Sequence, residues 1–211
     1  MTTTFQTPAV STFAVAADVP TVQRAADALR ANGFDVAVAV SRAEAKRLVL
    51  DSIPEGTEVH TGSSVTLAEL GIIGEVEGSG NYNALRPRAF AMDRETQSRE
   101  IRKLTSAPDV FVTSAHAITE DGRVLIGSAS GSQMGPIASG AGRVILVAGT
   151  QKVVKDLDQA YRRLVEHVFP LENERAQAAY GMGSAINQTL VLNAGGGGRI
   201  SIVLVPEAIG Y

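Results

Sequence analysis

Residues 57–71 read TEVHTGSSVTLAELG, and this stretch indicates what kind of fold to expect. A short apolar run, Thr57–Val59, is followed by a small polar turn and then by an amphipathic segment that stops at Gly71. Strand, turn and helix in this order form the repeating unit of an α/β sheet. Free N–H groups at the start of such a helix attract anions. The turn is therefore either a ligand-binding loop or a glycine turn with a serine cap.

The chain on the N-terminal side of this stretch also alternates helix and strand. Asp18 is a good N-cap for a helix that Asn32 and Gly33 end. The run FDVAVAV (34–40) predicts a strand, and the S-x-x-E box at Ser41 opens a second helix. We expect a flexible segment over 1–17 and one domain over 18–211.

Further strands and helices follow on the C-terminal side. Residues 71–92 have no periodicity that assigns them, whereas the later segments do. These are a polar helix over 93–104, strands over 108–118, 143–149, 188–193 and 199–205, and a helix after Asp156 that Pro170 should break. Asp121-Gly122 is a hairpin signal, so this turn and the last two strands should add antiparallel pieces. The fold class is α/β, with a mostly parallel central sheet and helices on both faces.

Composition excludes several classes of function. The sequence has 211 residues, a formal net charge of -3 and no cysteine, so disulfides, thiolate-bound iron–sulfur clusters and cysteine nucleophiles are ruled out. No basic block suggests nucleic acid. The longest apolar runs, about seven residues, are too short to span a membrane. No secretory signal is recognisable, so we expect a cytoplasmic protein.

The first candidate site is an anion site built from two loops and a lysine. In the first loop Gly62 would allow a ligand to approach the backbone closely, and Ser63, Ser64 and Thr66 would add hydroxyl donors. A second small-residue loop follows the hairpin, and each loop alone is also typical of an ordinary turn. Lys152, after strand 143–149, either binds a carboxylate or phosphate or is a solvated loop lysine. The complete predicted set is Gly62, Ser63, Ser64, Thr66, Ser128, Ser130, Gly131 and Lys152.

Candidates for proton transfer are fewer. His60 and His116 follow buried strands, where an acid/base could stand, although a structural histidine fits equally well. Glu69 and Asp121 are candidate carboxylates, and Glu69 also suits a capping role. His167 should lie on a helix surface. No histidine spacing indicates a metal, no cofactor is expected, and Ser114 lacks the G-x-S-x-G elbow of serine hydrolases.

Four segments in order resemble one family. They are GSSVTLAELG (62–71), PDVFVTSAHAITEDGRVL (108–125), SASGSQMGPIASGAGRVILVAGTQKVVKDLDQAYRRL (128–164) and RISIVLVPEAIGY (199–211). They are similar to the LUD-domain family of the lactate-utilisation protein C type. The resemblance implies a fold like that of ribose-phosphate isomerases, glucosamine-phosphate deaminases and CoA transferases. It also implies a role beside iron–sulfur partner proteins in lactate oxidation to pyruvate. The fold is compatible with a homodimer.

Three functional hypotheses remain open. The first is an accessory or ligand-binding component of a lactate-utilisation system that binds a small anionic metabolite, either a carboxylate or a phosphorylated compound. The second is a stand-alone isomerase- or CoA-transferase-like enzyme, which needs an acid/base beside the anion. The third is an interaction protein whose small-residue loops are only turns. Convergence of Ser64, Ser130 and Lys152 on one cleft would favour the first two.

Overall fold

The computed structural model describes residues 11–211, which hold ten β-strands and eight α-helices. The strands are β1 Asp35–Val38, β2 Glu58–Thr61, β3 Asn83–Ala84, β4 Val110–Ser114, β5 Ala117–Thr119, β6 Val124–Ser128, β7 Arg143–Gly149, β8 Val153–Val154, β9 Gln188–Leu192 and β10 Ile200–Val205. The α-helices are α1 Val19–Ala31, α2 Arg42–Asp51, α3 Val65–Glu69, α4 Ile72–Gly78, α5 Leu85–Ala91, α6 Ser98–Ser106, α7 Leu157–Arg163 and α8 Phe169–Tyr180.

The strands form two sheets. The central sheet has six strands in the order β1-β10-β7-β4-β2-β3, and every neighbouring pair is parallel. The second sheet has the order β8-β5-β6-β9, with antiparallel pairs on both sides of β6 and a parallel pair between β5 and β8. The predicted α/β architecture with a mostly parallel central sheet is confirmed, and the second sheet adds the antiparallel strands.

Successive side chains along each strand point to opposite faces of the sheet, and this divides the apolar core into layers. One face of the central sheet, with Phe111 and Leu146, packs against α1 and the second sheet. The opposite face, with Val112 and Val147, packs against α2, α3 and α4. A third cluster lies between the outer face of the second sheet and α7. The inner parallel strands β4, β7 and β10 are thus covered on both faces, which explains their near-continuous aliphatic runs in the sequence.

Caps place the helices where the sequence predicted them. Asp18 accepts a hydrogen bond from Thr21 N at the start of α1, and Ser41 accepts one from Glu44 N at the start of α2. Asp156 caps α7 in the same way through Gln159 N. Gly33 and Gly71 follow helices with φ of 78° and 66°, the left-handed conformation that glycine adopts without strain.

The predicted strand over 108–118 is two strands in different sheets. β4 belongs to the central sheet and β5 to the second sheet, and only Ala115 and His116 separate them. The prediction for the last two strands is likewise half right. β9 pairs antiparallel with β6, whereas β10 lies parallel between β1 and β7. Hydrophobic periodicity is the same in both sheets, so it does not show where the chain passes between them.

Pro170 does not break the helix that begins after Asp156. α7 continues through a π-helical turn, Leu164–Val168, directly into α8, and Pro170 is the second residue of α8. In the π turn Phe169 N donates to Leu164 O, five residues back. This wider turn accommodates a proline whose nitrogen cannot donate.

Two other segments also differ from expectation. The predicted helix over 93–104 begins later, at Ser98, because the Asp93 carboxylate forms a separate turn with Glu95 N and Thr96 Oγ1. The unassigned stretch 71–92 contains α4, β3 and α5.

Of the segment 1–17 that was expected to be flexible, residues 1–10 lie outside the described part of the chain. Residues 11–17 contact the domain. Ala17 N donates to Thr150 O, and Phe13 packs on the third apolar cluster. A short 3₁₀ turn, Thr12–Ala14, lies within this segment.

Candidate functional site

The first predicted loop joins β2 to α3 and is held by its own hydrogen bonds. Ser64 is the N-cap of α3, with its hydroxyl accepting from Leu67 N at 3.3 Å, whereas Ser63 is exposed. Gly62 N donates to Val112 O at 2.9 Å. A Cβ on Gly62 would stand 2.4 Å from Thr113 Oγ1, so the glycine is required by packing against β4. The close approach inferred from sequence exists, and its partner is a side chain of the protein.

Lys152 and Thr66 do come together, and Ser114 joins them. Lys152 ends a 3₁₀ turn, Thr150–Lys152, after β7, and only 1% of its surface is exposed. Its Nζ donates to Thr66 Oγ1 and to Ser114 Oγ, both at 2.9 Å, and the two hydroxyl oxygens are 3.3 Å apart. The interpretation of Lys152 as a solvated loop lysine is therefore wrong. Carboxyl ends of neighbouring parallel strands meet here, where open α/β sheets bind ligands.

The surroundings of Lys152 favour its uncharged form. Burial, and secondly the Arg163 guanidinium, hold the pKa of Lys152 well below its ordinary value, while the Glu69 carboxylate acts in the opposite direction with a smaller effect than either. Among residues 11–211 no carboxylate forms an ion pair with the amine. A buried ammonium without a counter-charge is strongly disfavoured, which is why the pKa falls.

Arg163 is a second buried basic side chain beside this cluster. It is 0% exposed and donates to three backbone carbonyl oxygens, those of Gln151, His116 and Phe13. Burial lowers its pKa to about 10, which leaves the guanidinium charged at neutral pH. Sequence reasoning missed this residue, although a charged side chain beside the apolar face of α7 was a visible irregularity.

The C-terminal residues cover the hydroxyl–amine cluster. Thr66 Oγ1 donates to Ile209 O at 3.3 Å, and Gln151 Nε2 donates to the carbonyls of Ile209 and Gly210 at 2.9 and 3.1 Å. A Cβ on Gly210 would lie 2.3 Å from Thr66 Oγ1, so the backbone there rests directly on the threonine. Glu69 accepts from Gly210 N at 3.2 Å, which is its role in place of the expected helix cap.

Beside this covering segment lies a cleft of about 290 Å³. Its walls come from α3, the turn after β7, the helical run after Asp156 and the C-terminal residues. They comprise Ala14, Glu69, Gln151, His167, Leu171, Ala208, Gly210 and Tyr211. His167, expected on the surface, thus lines the cleft. Gln151 is 3% exposed, and its Oε1 is buried without a hydrogen-bond partner among the described residues, so one polar atom next to the cleft has unused bonding capacity.

The second predicted loop is held by hydrogen bonds of its own. Ser128 Oγ accepts from Gly131 N at 3.0 Å, and the hydroxyls of Ser130 and Ser132 bond each other at 3.1 Å. Within residues 11–211, none of these serines hydrogen-bonds Lys152, Thr66 or Ser114. The convergence of Ser64, Ser130 and Lys152 is therefore replaced by a smaller cluster of Thr66, Ser114 and Lys152.

A link does exist between the two loops, on the other face of the central sheet. Gln133, which follows the serines, accepts from Thr113 Oγ1 at 3.4 Å and donates to Gly127 O at 2.9 Å. Thr113 is the residue on which Gly62 packs. Because successive side chains of a strand point to opposite faces, Thr113 and Ser114 serve different sides of the sheet.

Both predicted acid/base histidines are neutral. His116 Nδ1 accepts from Gly127 N at 2.9 Å, which puts its hydrogen on Nε2, and burial with the nearby Lys152 and Arg163 lowers its pKa to about 3. His60 lies in β2 and stacks on Phe111 with ring centroids 5.3 Å apart. Burial and Arg86 lower the pKa of His60 to about 4. The geometry of His116 fits a structural histidine, whereas the buried Nδ1 of His60 has no hydrogen-bond partner among the described residues.

The last predicted candidate, Asp121, lies in the hairpin turn between β5 and β6, where its exposed carboxylate bonds Arg123 and Thr119. No group of three or more His, Cys, Asp or Glu residues within 11–211 is arranged to hold a metal ion. Within the same range no helix has the length and apolarity needed to cross a membrane.

Comparison with known proteins gives a family and a fold. The family model of the LUD domain matches residues 22–205. A crystal structure of a DUF162 family protein from Deinococcus radiodurans is 12% identical and covers 88% of this chain and 96% of its own, with a TM-score of 0.50. The crystal structure of eIF2B delta from Chaetomium thermophilum is 14% identical and covers 58% of this chain and 54% of its own, with a TM-score of 0.36. No curated protein matches.

Proposed function

The chain belongs to the LUD domain family, and from that premise we propose that it serves a lactate-utilisation system by binding a small carboxylate or phosphorylated anion. One observation carries the proposal. The amine of Lys152 is buried, is held between two hydroxyls at 2.9 Å and has no carboxylate partner within the described chain. Its position at the carboxyl edge of the central sheet is where ligands of such folds bind.

An anion would supply what this amine lacks. Next to a carboxylate or phosphate the protonated form of Lys152 becomes favourable, and the hydroxyls of Thr66 and Ser114 become additional donors. The cysteine-free sequence cannot hold a thiolate-bound cluster, so electron transfer in such a system would belong to iron–sulfur partner proteins.

The ligand would take over donors that now serve the backbone. Ile209 O receives hydrogen bonds from Thr66 Oγ1 and Gln151 Nε2, a pair of donors that suits one oxygen of a carboxylate. Binding at Lys152 therefore requires the segment around Ile209–Gly210 to lift from the cluster.

Isothermal titration calorimetry of lactate, pyruvate, a sugar phosphate and an acyl-CoA tests the proposal. Lys152→Met keeps the buried stem and removes the amine, and Lys155→Met is the control because Lys155 is an exposed neighbour. We expect at least one anion to bind the wild type and the control alike, and to bind Lys152→Met roughly tenfold or more weakly. No heat from any of the four at millimolar concentration, or equal binding by Lys152→Met, would overturn the proposal.

The pH dependence has a defined sign. The pKa of Lys152 is lowered in the free protein and would be raised beside an anion, so between these two values binding takes up a proton. Affinity should therefore decrease as pH rises through that interval. Titrations in two buffers of different ionisation enthalpy measure the proton uptake directly, and Lys152→Met should show none.

A further inference from the structure

The cluster at the sheet edge has an arrangement that anion binding alone does not need. Ser114 Oγ lies 2.9 Å from Lys152 Nζ, and Thr66 Oγ1 lies 2.9 Å from the same nitrogen. A hydroxyl in hydrogen-bond reach of a base, with the base oriented by a third group, is the signature of an activated nucleophile. Serine–lysine pairs are a known variant of it. We propose that Ser114 accepts an acyl group from an activated acyl compound, an ester or thioester, with Lys152 as its base.

Lysine can act as a base only when it is uncharged, and the groups around Lys152 favour that state. Arg163 of α7 is a fixed positive charge, anchored by the carbonyls of Gln151 and His116. His116 and His167 also lie near the amine, and both have a lowered pKa. Within residues 11–211, Glu69 of α3 is the acidic group that acts on Lys152 in the opposite direction. Burial remains the largest cause of the lowered pKa of Lys152.

Of the two hydroxyls, Ser114 is the better nucleophile. Thr66 Oγ1 is committed to Ile209 O at 3.3 Å, and Thr66 is 1% exposed. The Ser114 hydroxyl also bonds a carbonyl, that of Ala115 at 3.2 Å, but Ser114 is 9% exposed and its primary hydroxyl is less hindered. Thr66 then orients the amine, which makes it a positioning residue.

The reaction balances without an oxidant or reductant. Ser114 Oγ attacks the acyl carbon while its proton passes to Lys152 Nζ. The bond from the acyl carbon to the leaving sulfur or oxygen breaks, and that atom takes the electron pair and the proton from Lys152. The product is a Ser114 ester and a free thiol or alcohol. Water or another nucleophile then attacks the ester and loses a proton to Lys152, and this proton returns to Ser114 Oγ.

Access requires the same movement as ligand binding. Gly210 has a φ of 59°, and a Cβ there would lie 2.3 Å from Thr66 Oγ1 and 2.7 Å from Thr66 N. Gly210→Ala should therefore lift the covering segment. Gly196→Ala is the matched control, because Gly196 has a φ of 65° with nothing within 4 Å of an added Cβ.

The experiment uses p-nitrophenyl acetate as the acyl donor and follows nitrophenol release, intact mass and the modified residue. We expect a burst of about one nitrophenol per chain and one acetyl group on Ser114 that hydroxylamine removes. The burst should be larger in Gly210→Ala than in wild type or Gly196→Ala. It should be lost in Ser114→Ala and Lys152→Met and kept in Ser139→Ala, an exposed serine. Its rate should rise with pH to a plateau as Lys152 loses its proton.

Three results would overturn the assignment. They are no acetyl-enzyme in either wild type or Gly210→Ala, a hydroxylamine-stable acetyl amide on Lys152, and an undiminished burst in Ser114→Ala. Anion calorimetry on the same preparations separates this inference from the proposed function. Anion binding without acylation contradicts only the nucleophile, whereas acylation without anion binding contradicts only the anion site.

Discussion

Gly62 was predicted from sequence to contact a ligand, but the structure requires a glycine there for packing inside the protein. The glycine in a strand–turn–helix loop suggested backbone contact with a ligand. In the structure its hydrogen faces Thr113 on β4, where a Cβ would stand 2.4 Å from Oγ1 and 3.0 Å from the threonine Cβ. Close packing between the loop and the next strand is enough to account for this glycine.

We therefore predict that Gly62→Ala destabilises the fold by about 1–3 kcal/mol, the range for overpacking a well-filled site. Gly74→Ala is the control. Gly74 is an exposed position inside α4 with nothing within 4 Å, so alanine should stabilise the helix by up to about 1 kcal/mol. Urea denaturation of both variants measures the difference, and a neutral Gly62→Ala would show that loop and strand separate easily.

The contact between Ser114 and Lys152 could not be predicted from the individual residues. Each was visible at the end of an apolar run, and Ser114 was set aside because the elbow motif of one hydrolase class was absent. Their distance of 2.9 Å depends on β4 and β7 being neighbours in the sheet. No local motif encodes that pairing, since the two residues are separated by an intervening hairpin and loop.

At the scale of elements, the starts of the helices with a side-chain cap were the most predictable features. Asp18, Ser41 and Asp156 each satisfy an N–H group three residues ahead, a local interaction that sequence spacing reveals directly. Pro170 was misleading because a π turn changes which carbonyl each N–H meets, and sequence periodicity does not reveal that shift.

One side chain of helix α7, that of Arg163, forms hydrogen bonds with three separate segments of the chain. Arg163 donates to the carbonyls of Phe13, His116 and Gln151, which belong to the N-terminal 3₁₀ turn, the link between β4 and β5, and the turn after β7. Arg162, the residue before it, is exposed, and within the described part of the chain it pairs with Glu166 on its own helical run.

Because Arg162 and Arg163 are adjacent but differ in burial, they allow a prediction with a matched control. Arg163→Met should lower the free energy of unfolding by roughly 3 kcal/mol or more, because buried carbonyls lose a charged donor. Arg162→Met should leave the free energy of unfolding almost unchanged, because an ion pair between two exposed side chains contributes little. Chemical denaturation of both variants under identical conditions decides the matter. Similar losses in the two variants would mean that the carbonyl contacts of Arg163 contribute little.

At the scale of the whole molecule, alternation of helix and strand was enough to predict the α/β class, but it could not predict two sheets. The passage from β4 to β5 and the return from β9 to β10 occur in segments whose local patterns look like one continuous strand and one hairpin. The hydrogen bond from Thr66 to Ile209 O joins residues that are 143 apart in sequence. It forms only in the folded chain, so local sequence patterns could not predict it either.

The two sheets share one apolar cluster, and this leads to a prediction for the entire chain. Ile126 of β6 and Ile202 of β10 belong to different sheets but to the same cluster, and both are fully buried. If that cluster forms as a unit, neither sheet can unfold while the other stays native. Urea unfolding followed by far-UV circular dichroism and by tyrosine fluorescence should then give coincident single transitions. Ile126→Val and Ile202→Val should each move that one midpoint, by about 0.5–1.5 kcal/mol in free energy and without a change in slope. A second transition in either variant, or a shift seen by only one probe, would show that the second sheet is a separately folding layer.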